Sequence, residues 1–447
     1  MKIVLPAGSP MHSSDFLFGV ATSSFQIEGA ADQRLPSIWD TFCDKPGAIL
    51  DGSNARDACD HLARWEEDVE LMVSMGLDAY RFSISWPRVL KEDGSLNQEG
   101  IGFYQRLIDS LNQNNIKPFV TLYHWDLPQH LEDQGGWLNR DTAYRFRDYA
   151  DVVSRTLGDG VYSYATLNEP YCSSYLSYEL GIHAPGLKDP AKAKQAAHHL
   201  LLAHGLAMPV LKENCPDALS GIVLNLSPCY PETESEIDRL AAKLADQYFN
   251  GWYAKPVLEG AYPKLMEMLP KEVRPDIMEG DLEVISHPLD YLGLNYYTRG
   301  VYRAGENTSF AQVMPENVAL SDMGWELFPQ GLTDLLQTLD EDYDLPPVFI
   351  TESGVALKDQ LVEGTVSDPD RTAYIHQHLG ALDLAMRGGV DVRGYFTWSL
   401  MDNFEWAEGY SKRFGLAYVD YATQERIVKE SGIAYRDLLL SRTKEAA

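Results

Sequence analysis

Eight short apolar runs punctuate the chain: FLFGVATSS near residue 16, LDAYRFSIS near 77, IKPFVTLYHW near 116, VYSYATLNEP near 161, GIVLNLSP near 221, LDYLGLNYY near 289, PPVFITES near 346 and VRGYFTWSL near 392. They are short and rich in β-branched and aromatic residues, so each predicts a buried strand. Intervals of about 40 to 70 residues leave room for a helix and a loop after each one. Several gaps carry apolar residues at helical spacing, as in HLARWEEDVELMVSMG, GFYQRLIDSLNQNN and AAHHLLLAHGLAMPVLKEN. Strands alternating with helices predict parallel pairing through right-handed crossovers.

Eight such units follow one another without a composition break or a Gly/Ser-rich linker. The pattern predicts the α/β class and a single (β/α)8 TIM barrel with elaborated βα loops, with residues 1–447 forming one catalytic domain. The unbroken run of eight units disfavours an open doubly wound sheet, and the lack of a Gly-rich phosphate loop after the first strand weakens a dinucleotide-binding reading. Polar groups mark one end of every predicted strand: Gln26, Arg81, His124, Asn168 with Glu169, Asn225, Asn295 with Tyr297, Glu352, and Trp398. In a closed barrel these ends converge on one face.

The stretch PPVFITESG, from Pro346 to Gly354, raises the chemical question. It reads as a strand buried on both faces, yet it ends in the carboxylate of Glu352, and burying an unpaired charge is expensive. On the predicted barrel Glu352 lies across the mouth from Glu169. Opposed carboxylates with aromatic walls suit cleavage of a glycosidic bond, where one acid protonates the leaving oxygen and the other meets the developing oxocarbenium ion. Sugars present apolar faces to Trp and Tyr and demand many short hydrogen bonds, which matches the Gln, Asn and His at the strand ends. The structural alternatives are that Glu169 caps the chain before Pro170 and that Glu352 only pairs with Arg81.

Composition narrows the partners. With 37 Lys and Arg against 66 Asp and Glu, the net charge of -29 disfavours nucleic acid and anionic membrane surfaces. The N-terminal MKIVLPAGSPMHSSDFLFGV lacks a continuous apolar stretch with a small-residue cleavage site, and no segment approaches bilayer-spanning length, which predicts a cytoplasmic address. Cys43, Cys59, Cys172, Cys215 and Cys229 are odd in number and without CxxC spacing, so free buried thiols are expected. NLS at Asn225 and NTS at Asn307 then match the glycosylation sequon by chance. His198, His199, His204 and the HQH at 376–378 lie in helical stretches without an acid at ligand spacing, and read as structural histidines with no metal.

Over nearly its whole length the chain resembles glycoside hydrolase family 1, the β-glucosidase family. The matching motifs are FLFGVATSSFQIEGA, YRFSISWPR, LYHWDLP, TLNEP, GLNYY, ITESG, and WSLMDNFEW with RFGL, in family order and spacing. The resemblance implies a (β/α)8 barrel, retention of anomeric configuration, and no cofactor. It assigns Glu169 as general acid/base and Glu352 as nucleophile, with Arg81 and Tyr297 supporting the nucleophile. Gln26, His124, Asn168, Glu405 and Trp406 match residues that hydrogen-bond the non-reducing sugar, and Trp398 matches the platform under its ring. Trp125, Asn295 and Phe414 are expected to line the same sugar site, and Trp325 and Asn225 the leaving-group side. One position departs from the family pattern: the residue after the nucleophile is most often Asn and here is Ser353, which puts the geometry around the nucleophile in question.

The implied substrates are β-glucosides and cello-oligosaccharides, with assembly into a homo-oligomer left open. A 6-phospho-β-glycosidase on the same fold would need cations where the sixth carbon ends; the resemblance puts Glu405 at that position, where it would repel phosphate, although Lys412 and Arg413 follow nearby in the chain. A thioglucosidase would replace Glu169 by Gln. A silent sugar-binding barrel would have lost a carboxylate, and both are present.

Overall fold

A computed structural model describes residues 2–306 and 308–445. Asn307, the acceptor position of the NTS sequon, lies outside the described residues.

The eight predicted strands all form. They are β1 (Leu17–Ala21), β2 (Ala79–Ser83), β3 (Lys117–Tyr123), β4 (Ser163–Asn168), β5 (Leu219–Asn225), β6 (Tyr291–Asn295), β7 (Val348–Ser353) and β8 (Val392–Trp398). Each pairs in parallel with its sequence neighbour, and β1 pairs with β8 from Leu17 opposite Gly394 to Ala21 opposite Trp398, which closes the barrel. The architecture is the (β/α)8 TIM barrel predicted from the alternation.

Large side chains plug the barrel beneath its C-terminal face. Phe119 of β3 meets Phe349 of β7 at 5.3 Å and Phe396 of β8 at 4.8 Å between ring centroids, both edge to face, a contact across the lumen that only inward-pointing rings can make. Two glycines provide the space. A Cβ on Gly19 would lie 2.5 Å from the Phe396 ring, and one on Gly394 would lie 2.8 Å from that of Phe349. Truncating one of these rings to Ala should cost about 3 to 5 kcal/mol. Above this plug lies the mouth where the C-terminal ends of the strands meet.

The outer layer follows helical periodicity and local caps. The helix after β1 spans His61–Met75 and stops at Gly76, whose φ of 70° is the left-handed conformation that suits glycine. The helix after β4 runs over Pro190–Asn214, six residues earlier than its apolar stretch suggests, because Asp189 accepts hydrogen bonds from the Ala191 and Lys192 N–H groups and Pro190 fits the first turn. The last helix, Glu430–Glu445, is tied to the barrel by a buried charge cluster. Lys429 donates to Asp359 at 2.5 Å and to Asp402 at 2.6 Å, while Arg371 pairs with Asp359 and Asp368.

The loops hold elements that no periodicity announced, including a three-stranded sheet of Cys229–Pro231, Gly300–Arg303 and Ala311–Val313. The helix histidines find protein partners: His198 Tyr262 and Asp281, His199 the Trp137 carbonyl, His204 Thr166, and His378 the Tyr374 carbonyl. All five cysteines are free thiols, but Cys43 and Cys229 are only partly buried: they lie at the end of the short helix Ile38–Cys43 and the start of the strand Cys229–Pro231, both outside the barrel. Among the described residues no helix is long and apolar enough to cross a membrane.

Candidate active site

The mouth of the barrel gathers the strand-end residues into one hydrogen-bond chain. Arg81, buried on β2, donates to Glu352 Oε1 at 2.5 Å and to Asn168 Oδ1 at 2.6 Å. Since guanidinium can only donate, Asn168 presents its oxygen there, and its Nδ2 must point the other way, to His124 Nε2 at 3.1 Å. Neutral His124 then carries its proton on Nδ1, which is buried and meets no protein partner among the described residues. Burial, helped by the Arg81 charge, pushes the imidazole well below its usual range and keeps it neutral.

The same logic orients Asn295. Its Nδ2 donates to Asn168 Oδ1 at 3.1 Å and to Glu169 Oε1 at 2.6 Å, and its Oδ1 accepts from Thr351 at 2.7 Å. Glu352 takes a second hydrogen bond from the Tyr297 hydroxyl on Oε2 at 2.7 Å. The two carboxyl groups are therefore joined through Arg81, Asn168 and Asn295, with Glu352 accepting on both oxygens.

Local backbone irregularities aim these groups. Strict alternation along β7, with Phe349 in the lumen, would turn Glu352 outward; instead the register shifts between Ile350 and Glu352 against β6, and between Ile350 and Ser353 against β8. Glu169 adopts φ 47° and hydrogen-bonds through its N–H to the Val223 carbonyl at 2.9 Å. Trp125 (φ 79°) and Trp406 (φ 47°) share this left-handed conformation, which large side chains adopt only where the surroundings enforce it.

The carboxyl groups do not behave alike. Burial first, and then the negative charge of Glu352, pushes Glu169 up to about 7, against the lowering effect of Asn295, Cys172 and Arg81. Glu405, at the loop after β8, is pushed up to about 8 by burial and by the charges of Glu352, Glu169 and Glu408. This shift favours its neutral form and so weakens electrostatic repulsion of a phosphate by Glu405. The two nearby cations are engaged within the protein: Lys412 is bound to Asp322, and Arg413 to Asp402 at 2.6 Å.

Aromatic side chains wall the site. Trp406 packs on Trp125 at 4.5 Å and near-parallel to His124 at 5.9 Å, and Trp398 also lies near-parallel to His124 at 5.9 Å. Tyr297, Trp325 and Phe414 form a second wall, with Trp325 5.4 Å from Tyr297 and 6.3 Å from Phe414. Gln26 is fully buried, but both its N–H groups are spent, on Asn403 at 3.0 Å and the Phe404 carbonyl at 2.8 Å, while its oxygen accepts from Ser23 at 2.6 Å. Its remaining capacity toward a ligand is as an acceptor. Asn225 stands apart from the hydrogen-bond chain and lines a cavity of about 220 Å³ with Tyr171, Tyr175 and Arg299. Ser353 is buried and reaches Tyr374 at 3.4 Å, in the wall outside the carboxyl pair.

Sequence reasoning missed Cys172, Thr351 and Asn403, which contact Glu169, Asn295 and Gln26. Cys172 stands three residues after Glu169 and Thr351 just before Glu352, so proximity in the chain was the available signal. Among the described residues no group of three or more His, Cys, Asp or Glu could hold a metal ion.

Comparison with known proteins identifies the family and the fold. The profile of Glycosyl hydrolase family 1 matches residues 9–444. A β-glucosidase from an Agrobacterium species is 46% identical over 433 residues, covering 95% of this chain and 94% of its own. A protein of Bifidobacterium breve named bifunctional β-D-glucosidase/β-D-fucosidase is 43% identical over 466 residues and covers 98% of each chain. The solved β-glucosidase from Thermotoga maritima in complex with glucoimidazole aligns with a TM-score of 0.94 at 43% identity, covering 96% of this chain and 99% of that one.

Proposed function

Because the chain belongs to glycosyl hydrolase family 1 and is a glycoside hydrolase, we propose that it is a retaining β-glucosidase acting as one catalytic domain over residues 1–447. Its substrates are cellobiose, short β-oligoglucosides and aryl or alkyl β-glucosides, cleaved at the non-reducing terminal glucosyl residue in the cytoplasm. Glu169 protonates the leaving oxygen while Glu352 attacks the anomeric carbon; water, activated by Glu169, then releases the sugar from the glycosyl ester. Arg81 and Tyr297 stabilise the carboxylate of Glu352. His124 donates from Nδ1 to a sugar hydroxyl, Gln26 accepts, Asn168, Asn295 and Glu405 complete the polar ring, and Trp398, Trp125, Trp406 and Phe414 enclose the sugar. Trp325 and Asn225 face the leaving group.

The observation that carries this reading is the asymmetry of the two carboxyl groups. Glu352 accepts from a guanidinium and a phenol, which suits a group that must attack as an anion, while Glu169 is raised to about 7, which suits one that must deliver a proton near neutrality. Proton NMR of the first product tests it. β-Glucose must appear before mutarotation; initial α-glucose would mean single displacement by water and a wrong role for Glu352. Parallel kcat/KM values for a β-glucoside and its 6-phosphate separate the phosphoglycosidase reading, which predicts preference for the phosphorylated substrate. β-Fucosides belong in the same panel, because the Bifidobacterium breve relative carries both activities in its name.

A further inference from the structure

The proton of Glu169 has only one oxygen available to it. Arg81 fixes the orientation of Asn168, Asn168 fixes that of Asn295, and the Asn295 amide therefore donates to Oε1 of Glu169. An oxygen that accepts at 2.6 Å from a donor unable to reverse is a poor place for a carboxyl proton. The transferable proton is left on Oε2, and the protein group against Oε2 is the thiol of Cys172, whose Sγ lies 3.1 Å away. The contact is built into the chain: the left-handed φ of Glu169 folds the backbone so that the Cys172 N–H returns to the Glu169 carbonyl at 2.9 Å, and Cys172 opens the π-helical turn Cys172–Glu179. Cys172 is itself buried, and burial pushes its thiol well above the usual range, so it stays an S–H donor and never a competing base.

We propose that Cys172 is a positioning residue for proton transfer, its thiol holding Oε2 of Glu169 in place and favouring the ionised carboxylate over the protonated one. The inference rests on the reading of Glu169 as general acid/base and deepens it. A thiol is a weak donor, which is an advantage here. The same oxygen must give up a proton in the first step and take one from water in the second, and a strong donor in that position would impair the first. The charged or titratable groups facing Glu169 from the surrounding elements are Glu352 on β7, Arg81 on β2, Tyr297 after β6 and Glu405 after β8. Substitution of Cys172 leaves each of these side chains in the protein, so the comparison of variants isolates the thiol.

The test is the pH dependence of kcat/KM on a β-glucoside with a poor leaving group, for the parent enzyme, Cys172→Ala and Cys172→Ser. Loss of the thiol should move the alkaline limb up by about half a pH unit, the size suited to one weak hydrogen bond, with the acidic limb unmoved. Ser keeps an O–H donor at the same position and should return the limb to the parent value or below. An alkaline limb that stays put or moves down in Cys172→Ala, or moves together in both variants, overturns the proposal. Glu169→Ala is the control for the reading beneath it. Loss of the alkaline limb in that variant together with an unmoved limb in Cys172→Ala sinks the role of the thiol alone, whereas a limb that survives in Glu169→Ala sinks the assignment of the acid itself.

Discussion

Converting Glu352 to its glycosyl ester should lower the pKa of Glu169, because the negative charge that is the second cause of its elevation disappears. A retaining site sets its carboxyl groups about 5 to 5.5 Å apart. Two unit charges at that distance and an effective dielectric of about 20 interact by about 3 kcal/mol, or about two pKa units. Burial, the larger cause, persists in the intermediate, so Glu169 should fall from about 7 to about 5. The direction matters for turnover: the residue is protonated when the first step needs an acid and ionised when the second needs a base. A 2-deoxy-2-fluoro-β-glucosyl fluoride traps the ester, and carbon NMR of enzyme labelled at the glutamate carboxyl carbons follows Glu169 from pH 4 to 9 in free and trapped protein. An unchanged or raised pKa in the trapped state would refute the claim that the charge of Glu352 sustains the acid.

Glu169→Ala should reduce cleavage of cellobiose by about 10²- to 10⁴-fold while sparing glycosylation by a dinitrophenyl glucoside, whose leaving group needs no proton; equal losses measured by pre-steady-state kinetics would exclude Glu169 as the acid. Glu352→Gly should abolish hydrolysis but accept azide in the vacated space and yield the α-glucosyl azide from a β-glucosyl fluoride, one inversion replacing two; a β-azide identified by NMR would contradict direct attack by Glu352. Asp126 is buried and pushed up to about 8 by burial, so the folded state holds a proton there that the unfolded chain releases near 3.8. Its contribution to stability is complete below that lower value and is lost as pH rises toward 8, at a slope of at most about 1.36 kcal/mol per pH unit; Asp126→Asn should flatten the melting temperature between pH 5 and 8, and an unaltered slope in calorimetry would refute the protonated form.

The barrel was legible because its signals are local. Each strand is a compact apolar run such as VFIT or GYFTW, and each crossover helix carries its own periodicity, so the eight units could be counted without knowing any contact. The small sheet formed by Cys229–Pro231, Gly300–Arg303 and Ala311–Val313 was not legible, since three- and four-residue strands separated by up to 68 residues carry no period to detect. The charge cluster around Lys429 was hidden for a related reason. Lys429, Asp402, Asp359 and Arg371 look like ordinary surface residues until the fold brings them together in the interior.

In the site, residue types were legible and their orientation was not. The motifs name Glu169, Glu352, Arg81 and His124, but an alternating strand that places Phe349 in the lumen would point Thr351 inward and Glu352 out. Only the register shift after Ile350 brings both into the mouth, so that Thr351 reaches Asn295 while Glu352 meets Arg81 and Tyr297. Such a shift depends on both neighbouring strands and leaves no mark in the sequence of β7. Gln26 shows the same limit in another form. Its identity suggests a two-ended amide contact with a sugar, yet Asn403 and the Phe404 carbonyl, more than 370 residues away in sequence, take both its N–H groups and leave it only an acceptor. Which atoms of a predicted residue remain free for chemistry is thus decided by partners distant in the chain, and it is there that the structure changes what the motifs imply.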